Sequence, residues 1–391
     1  MSENDAKPKI CVVMFPWPSR GVYKFLSDIL KILEPLSGRV YVITGNTNRI
    51  KTHNMNVIFK DTKVSLHYSH ELHPVWISKL LWILKAILFQ IKASLELFRL
   101  SRDIDIVIFY VAHPYYLLPL LSAKIHGKKT MEVITRTRSD SISFLDKIFR
   151  LQDKILLSLI DYISPESESL ITQLNLDRYE DKILPIGARF IDTDSFKIKK
   201  NINERKNIVG YVGRIRKEKG VMNFVEAVPL ITRGHEDVEF LIGGEGDLFD
   251  EIKRIEELKG YKIALLGWIP QERLSDYLNK LKLFVLPTQH AEGLPTMVLE
   301  AMACGTPVLA TSIGAIPDVI KDGETGFILK NNSPECIAES ILRALNYRNL
   351  DKIVRNARKL VEEKYTYEAA VERYKAILNK ILEDNRTHAG A

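Results

Sequence analysis

Two doubly wound α/β units facing each other across a cleft form the architecture this sequence predicts, on three observations. Short apolar runs alternate with helix-length segments; the alternation stops at a charged stretch near residue 200 and then starts again; and residues 333–382 read as helix almost throughout. With 391 residues, 46% of them hydrophobic and 27% charged, the chain is long enough for two separate cores.

The first apolar run covers 10–15 and is followed by a helical stretch at 21–36. Runs at 40–44, 104–111 and 130–134 come next, with a helix at 117–126 between the last two. Strands that are apolar at every position need cover on both faces, which crossover helices in a parallel sheet supply. Segment 75–100, VWISKLLWILKAILFQIKASLELFRL, is apolar but broken by Lys79, Lys85, Lys92 and Glu96. A spanning helix needs roughly 20 largely uncharged residues, and each central lysine costs about 2.5–3.5 kcal/mol, so it is not expected to cross a membrane. Seven-residue spacing puts Lys85, Lys92 and Arg99 near one helical face, with Trp82, Leu88, Phe89 and Ile91 elsewhere around it. Two readings stay open: a helix covering a buried sheet, or one docking on an anionic membrane surface.

Residues 192–206, DTDSFKIKKNINERK, hold few apolar residues and many charges, and are expected to form an exposed hinge. The rhythm then restarts with strands at 208–212, 238–242, 263–266, 283–286 and 308–310, separated by helices at 222–231, 248–258, 274–280 and near 297–303. Pro334 marks a helix start, and Ala370, Tyr374, Ile377 and Ile381 recur at helical spacing near the end.

With a net charge of +7, a phosphate-rich ligand or an anionic membrane surface attracts the protein more than it repels it. Cys11, Cys304 and Cys336 have neither metal-ligand nor redox spacing and suit a reducing compartment. The polar first nine residues lack the pattern of a secretory signal, so a cytoplasmic location is expected.

In open α/β sheets ligands sit beyond the carboxyl ends of the strands, which directs attention to five loops. The first, YVGRIRKEKG, places Gly213 and Arg214 directly after a strand and Lys219 and Gly220 a few residues on, with Arg216 and Lys217 between; such cations suit a diphosphate leaving group. The second, GGEGD, lets the backbone at Gly244 come close to phosphate or sugar. In the third, Trp268 is a candidate to flank a nucleobase. The fourth, EGLPTMVLE, runs from a strand into a helix. Amides near Thr296, Met297 and Val298 are expected to face the cleft, Glu292 and Glu300 to accept hydrogen bonds from sugar and ribose hydroxyls. The fifth is 16–21, where Gly21 opens the first helix and its amide can approach a phosphate from the opposite unit.

The strings GRIRKEKGV at Gly213, GGEGD at Gly243, LGWIP at Leu266, EGLPTMVLEAMACGTPV at Glu292 and GAIPDVIKDGETGF at Gly314 follow one another in an order and spacing that resembles the family 4 retaining glycosyltransferases of GT-B fold. The resemblance implies two facing Rossmann-like domains: an acceptor-side unit at 1–191, a hinge at 192–206, a nucleotide-sugar unit at 207–366, and a final helix at about 367–384 packed back on the first unit. It implies that Arg214 and Lys219 neutralise the donor diphosphate, that Glu292 contacts the transferred sugar, that Glu300 holds the ribose, and that the amides of Thr296 to Val298 cap the phosphates. The reaction it implies is front-face displacement onto a glycan or lipid-linked acceptor. UDP-sugar or GDP-sugar is then the donor substrate, with neither cofactor nor metal and no nucleic-acid partner. The acid pairs Asp103/Asp105 and Asp192/Asp194 look like a metal motif but precede a buried strand and lie in the hinge, and are read as chance.

The first half departs from the family pattern. Only Gly21 stands where paired glycines are common, and the position after strand 130–134 that often holds histidine offers Arg136 and Arg138. These arginines are expected to supply positive charge to a phosphate or an anionic acceptor, and His113, one strand earlier, to line the cleft. A nucleotide-sugar epimerase, a sugar phosphorylase or a non-catalytic homologue on the same fold remain as alternatives.

Overall fold

The computed structural model describes residues 7–17, 20–45, 56–64, 75–111, 113–135, 144–259, 261–290 and 293–389. The first half contains β1 (Lys9–Val13), α1 (Arg20–Leu33), β2 (Arg39–Thr44), β3 (Val57–Asp61), α2 (Val75–Leu100), β4 (Ile106–Tyr110), α3 (Leu117–Ile125), β5 (Lys129–Ile134), α4 (Phe144–Leu159), β6 (Tyr162–Pro165) and α5 (Glu168–Gln173). The second contains β7 (Ile208–Val212), α6 (Val221–Thr232), β8 (Glu239–Gly243), α7 (Phe249–Lys259), β9 (Ile263–Gly267), α8 (Gln271–Lys280), β10 (Leu283–Leu286), α9 (Thr296–Ala303), β11 (Val308–Thr311), α10 (Ile316–Val319) and β12 (Phe327–Leu329). Helices α11 (Pro334–Leu345), α12 (Leu350–Lys364) and α13 (Tyr367–Ala389) end the chain.

Each half is built on a six-stranded sheet whose paired strands run parallel, in the orders β3-β2-β1-β4-β5-β6 and β12-β11-β10-β7-β8-β9. The order reverses at β1/β4 in one sheet and at β7/β10 in the other, and the crevice for a ligand lies beyond the strand ends at such a switch point.

Period-two alternation explains why the strands are apolar throughout. Cys11 and Val13 face Phe89, Ala93 and Leu97 of α2 on one side of the first sheet, while Ile10 and Val12 pack with Leu26 and Ile29 of α1 on the other. The same second face is closed by α13, whose Ala370, Tyr374, Ile377 and Ile381 are fully buried, and Tyr162 donates to Asp384 at 2.7 Å. At α11, Ser333 caps the helix by accepting from the Cys336 amide and Pro334 occupies the first turn.

Three strands escape the sequence reading. β3 is half-exposed at the sheet edge, β6 has four residues ending in proline, and β12 has three. Most of the 192–206 stretch is exposed, as expected of it, with three buried exceptions. Phe196, Ile202 and Arg205 are buried. The Arg205 guanidinium donates to the carbonyls of Lys200, Leu281 and Cys304 and to Thr306 Oγ1 at 2.7–3.1 Å, and Lys199 Nζ reaches Asp276 at 2.6 Å. Arg205 and Lys199 therefore fasten the segment to the second half.

Candidate active site

The loops after β7, β8 and β9 are laced together through their backbones. Gly213 donates to Gly243 O at 3.0 Å, Gly244 to Gly267 O at 2.7 Å, and Ile215 to Glu245 O at 2.9 Å. Glycine is required at Gly244 because φ is +130° and a Cβ would lie 1.9 Å from Gly213 O. The β7 loop is also tied to the loop after β10, since the Gln289 amide and Thr288 Oγ1 both donate to Glu218 O, at 2.9 and 3.2 Å.

This lacing shapes a cavity of about 460 Å3 between the halves, lined from the second half by Gly213, Arg214, Lys219, Gly293, Thr296 and Met297 among others. Lys219 is 9% exposed, Arg214 exposed. Opposite them, the first turn of α9 has no side-chain cap, so its amides and dipole are directed at the cavity. One correction follows for the amides: Val298 donates to Pro295 O at 3.1 Å inside the turn, and Thr296 and Met297 line the space instead. A second concerns the crowd of cations, because Arg216 turns away to exposed Glu218 and Asp247 at 4.0 and 3.7 Å. Trp268 is 67% exposed and is not among the residues lining this cavity.

Glu300 is 2% exposed, and its Oε1 receives Lys24 Nζ from α1 at 3.4 Å and Gln271 Nε2 at 3.3 Å. Gly21 lies in the first turn of α1, one turn ahead of Lys24. The first half adds Phe25, Thr135 and Arg189 to the cavity wall. Arg189 is buried, paired with buried Glu166 at 2.8 Å and set 3.9 Å over the Phe25 ring. Burial pushes the Glu166 carboxyl up, and the Arg189 charge opposes that shift. Lys24, Arg189 and Thr135 were not legible as site residues, since they come from three separate elements; the spacing of Lys24 three residues after Gly21 was the one available signal.

His113 does not border the 460 Å3 cavity itself. It lines a smaller cavity of about 100 Å3 with Trp17, Glu132, Thr135 and Asp153, and Thr135 borders both spaces. Its Nδ1 lies 3.2 Å from Glu132 and its Nε2 2.5 Å from Asp153. Burial pushes Glu132 up to about 8, with the Tyr116 hydroxyl that donates to it opposing the shift and the Asp153 charge adding to it. An imidazole held between two carboxyl groups suits a hydroxyl-bearing ligand better than a phosphate. Glu292, Arg136 and Arg138 lie outside the described residues. Asp105 accepts from the Lys9 amide at 2.8 Å and Asp192 from Ser195 Oγ at 2.6 Å, so both acid pairs have structural work.

Residues 192–361 match the model described as Glycosyl transferases group 1. Over 256 residues the chain is 29% identical to the capsular polysaccharide biosynthesis glycosyltransferase CapM of Staphylococcus aureus, covering 61% of this chain and 66% of that protein. Over 296 residues it is 25% identical to the N-acetyl-alpha-D-glucosaminyl L-malate synthase of Bacillus anthracis, covering 73% and 77%. The crystal structure of Anabaena HepE in complex with UDP superposes with a TM-score of 0.73 at 15% identity, over 95% of this chain and all of that one. Sucrose-phosphate synthase from Thermosynechococcus elongatus superposes with a TM-score of 0.71 at 16% identity, over 97% and 100%. Residues 192–361 therefore carry a Glycosyl transferases group 1 domain, and the chain as a whole has the GT-B architecture.

Proposed function

We propose that the protein is a retaining glycosyltransferase of the family 4 type, moving a hexosyl group from a nucleoside diphosphate sugar to a glycan or lipid-linked acceptor. The observation that carries this reading is the meeting of Lys219 and Arg214 with the uncapped start of α9 around one cavity between the halves. Two cations and a helix N-terminus on one space suit the two phosphates of such a donor. The UDP in the HepE complex is consistent with a uridine donor.

In this reading the bond from the anomeric carbon to the diphosphate breaks while the acceptor hydroxyl oxygen bonds to that carbon on the same face. The hydroxyl proton passes to the departing phosphate oxygen. Lys219 and Arg214 stabilise the charge that develops there, which is the main catalytic contribution, and no metal or cofactor is needed. Glu300 orients the ribose and Glu292 the sugar. The His113, Glu132 and Asp153 group lies on the acceptor side, with Arg136 and Arg138 nearby in sequence. The three free thiols support a reducing compartment, the cytoplasm.

The test is calorimetric titration with UDP, GDP and ADP, with and without a divalent metal, followed by NMR of the anomeric configuration in the product. Binding of one nucleotide without metal, weakened in Glu300→Ala, and a product that keeps the donor configuration are expected. Failure of all three nucleotides would remove the donor site, and return of an altered nucleotide sugar would reassign the protein as an epimerase.

A further inference from the structure

Helix α2 carries two apolar stripes on opposite sides, and the protein covers only one of them. Ala86, Phe89, Ala93, Leu97 and Leu100 recur at three- and four-residue steps and are buried against the first sheet. Leu80, Leu84, Ile87, Ile91, Leu95 and Phe98 recur in the same way and are 44–61% exposed. A helix on a water-facing surface places charged and polar residues on that side. The exposed stripe continues onto α3, which packs alongside α2 through Ser122 Oγ to Ser94 O at 3.2 Å and the Phe98 and His126 rings at 5.2 Å. There Leu118, Leu121 and Ile125 are 41, 39 and 81% exposed. Together these side chains expose apolar surface on the order of 1,000 Å2, above the roughly 300–600 Å2 of the largest patch on a typical monomer.

The border of this patch is basic. Lys85, Lys92 and Arg99 follow one edge of the stripe, Lys92 Nζ also donating to Thr62 O at 2.9 Å, and Val75–Leu100 holds Lys79, Lys85, Lys92 and Arg99 against Glu96 alone, which is paired with Arg99. No helix among the described residues is long and apolar enough to cross a membrane. We propose that the α2–α3 face docks in the plane of an anionic lipid bilayer, with its leucine, isoleucine and phenylalanine side chains among the acyl chains and its cations at the headgroup phosphates. A second copy of the chain fits less well, because an isologous contact brings the same cations from both copies and its one acid in α2 is already paired.

Docking in this orientation has a consequence for the acceptor. Trp82 of α2 packs its ring against those of Phe15, Trp17 and Tyr115 at 4.8–6.3 Å, and Trp17 lines the His113 cavity. A lipid-linked acceptor would therefore meet that cavity beside the bilayer surface, a clause that rests on the function proposed above; the docking itself does not.

Vesicle flotation of the full chain tests the surface. Binding to vesicles of phosphatidylcholine with one third phosphatidylglycerol at low salt, at least several-fold weaker at high salt and on phosphatidylcholine alone, is expected. The double variant Ile87→Glu and Ile91→Glu should lose binding at least tenfold while its calorimetric nucleotide affinity stays unchanged, and Lys85→Ala should lose about fivefold. Absence of binding by the parent protein would overturn the proposal. So would a parent dimer that Ile87→Glu and Ile91→Glu dissociate without altering vesicle binding.

Discussion

Lys219 and Arg216 lie three residues apart in one basic loop, yet they differ in what surrounds them. Lys219 is buried on the wall of the cleft, while Arg216 is spread between two exposed carboxylates. A cation out of water acts on a diphosphate far more strongly than one screened by solvent. Lys219→Ala is expected to lower kcat by about 10²–10³-fold and to weaken nucleoside diphosphate binding, whereas Arg216→Ala changes either by less than about twofold. Initial rates and calorimetry on the two variants check this. Glu132 supplies a pH signature. Because its folded pKa is raised, from the usual carboxyl range to about 8, it contributes stability in full below about pH 4.5 that is lost as pH rises through 8. Glu132→Gln keeps the neutral shape without that loss. Its stability relative to the parent should therefore rise between pH 5 and 8 by on the order of a few kcal/mol and level off above, read from urea midpoints at each pH. Of these two residues, only Lys219 was readable in advance: it follows a strand within a recognisable string. Glu132 is one polar residue in an apolar run, and its partners His113, Tyr116 and Asp153 lie on other elements.

Elements that were long and apolar on one or both faces were legible, and those defined by their neighbours were not. The β1, β4 and β7 runs needed only period and length, and the string 292–300 announced α9. β3 offered no such pattern, because its VIFKD has partly buried residues on both faces at the edge of a sheet. Helix α2 shows a related limit. Its sequence leaves two candidate partners, sheet or membrane, without saying that one face is buried on the sheet while the opposite one stays exposed. The charges of the 192–206 stretch do mark exposure for most of it, but not for Arg205, which is buried among the carbonyls at the ends of α8 and α9. Its desolvation lowers its pKa to about 10, still charged at neutral pH. Arg205→Met would leave those carbonyls unsatisfied, and a loss of about 3–5 kcal/mol in unfolding free energy is expected from the second half. Urea unfolding followed by circular dichroism checks it against Arg233→Met as a surface control.

Among the described residues small polar contacts join the two halves, an arrangement that can hold a cleft at one width and still admit a substrate. The Ser169 amide of α5 donates to Asp318 of α10 at 3.1 Å, Gln173 donates to Gly314 O at 2.9 Å, and Lys24 reaches Glu300 across the cavity. At Gly293 an added Cβ would stand 2.3 Å from Thr135 O of the opposite half. A methyl group at Gly293 is therefore expected to push the halves apart by about 1 Å, the shortfall from an ordinary contact distance. A displacement of that size between a bound donor and an acceptor hydroxyl costs about 10²-fold in rate when reaction needs near-contact geometry. If the donor is held by the second half as proposed, Gly293→Ala should keep nucleoside diphosphate affinity within about threefold and lower kcat by roughly 10–100-fold. Calorimetry and single-turnover rates on the same preparation separate the two quantities. An equal loss in both would mean that the methyl acts on the donor cavity alone, and that the width of the cleft at Thr135 does not set the rate.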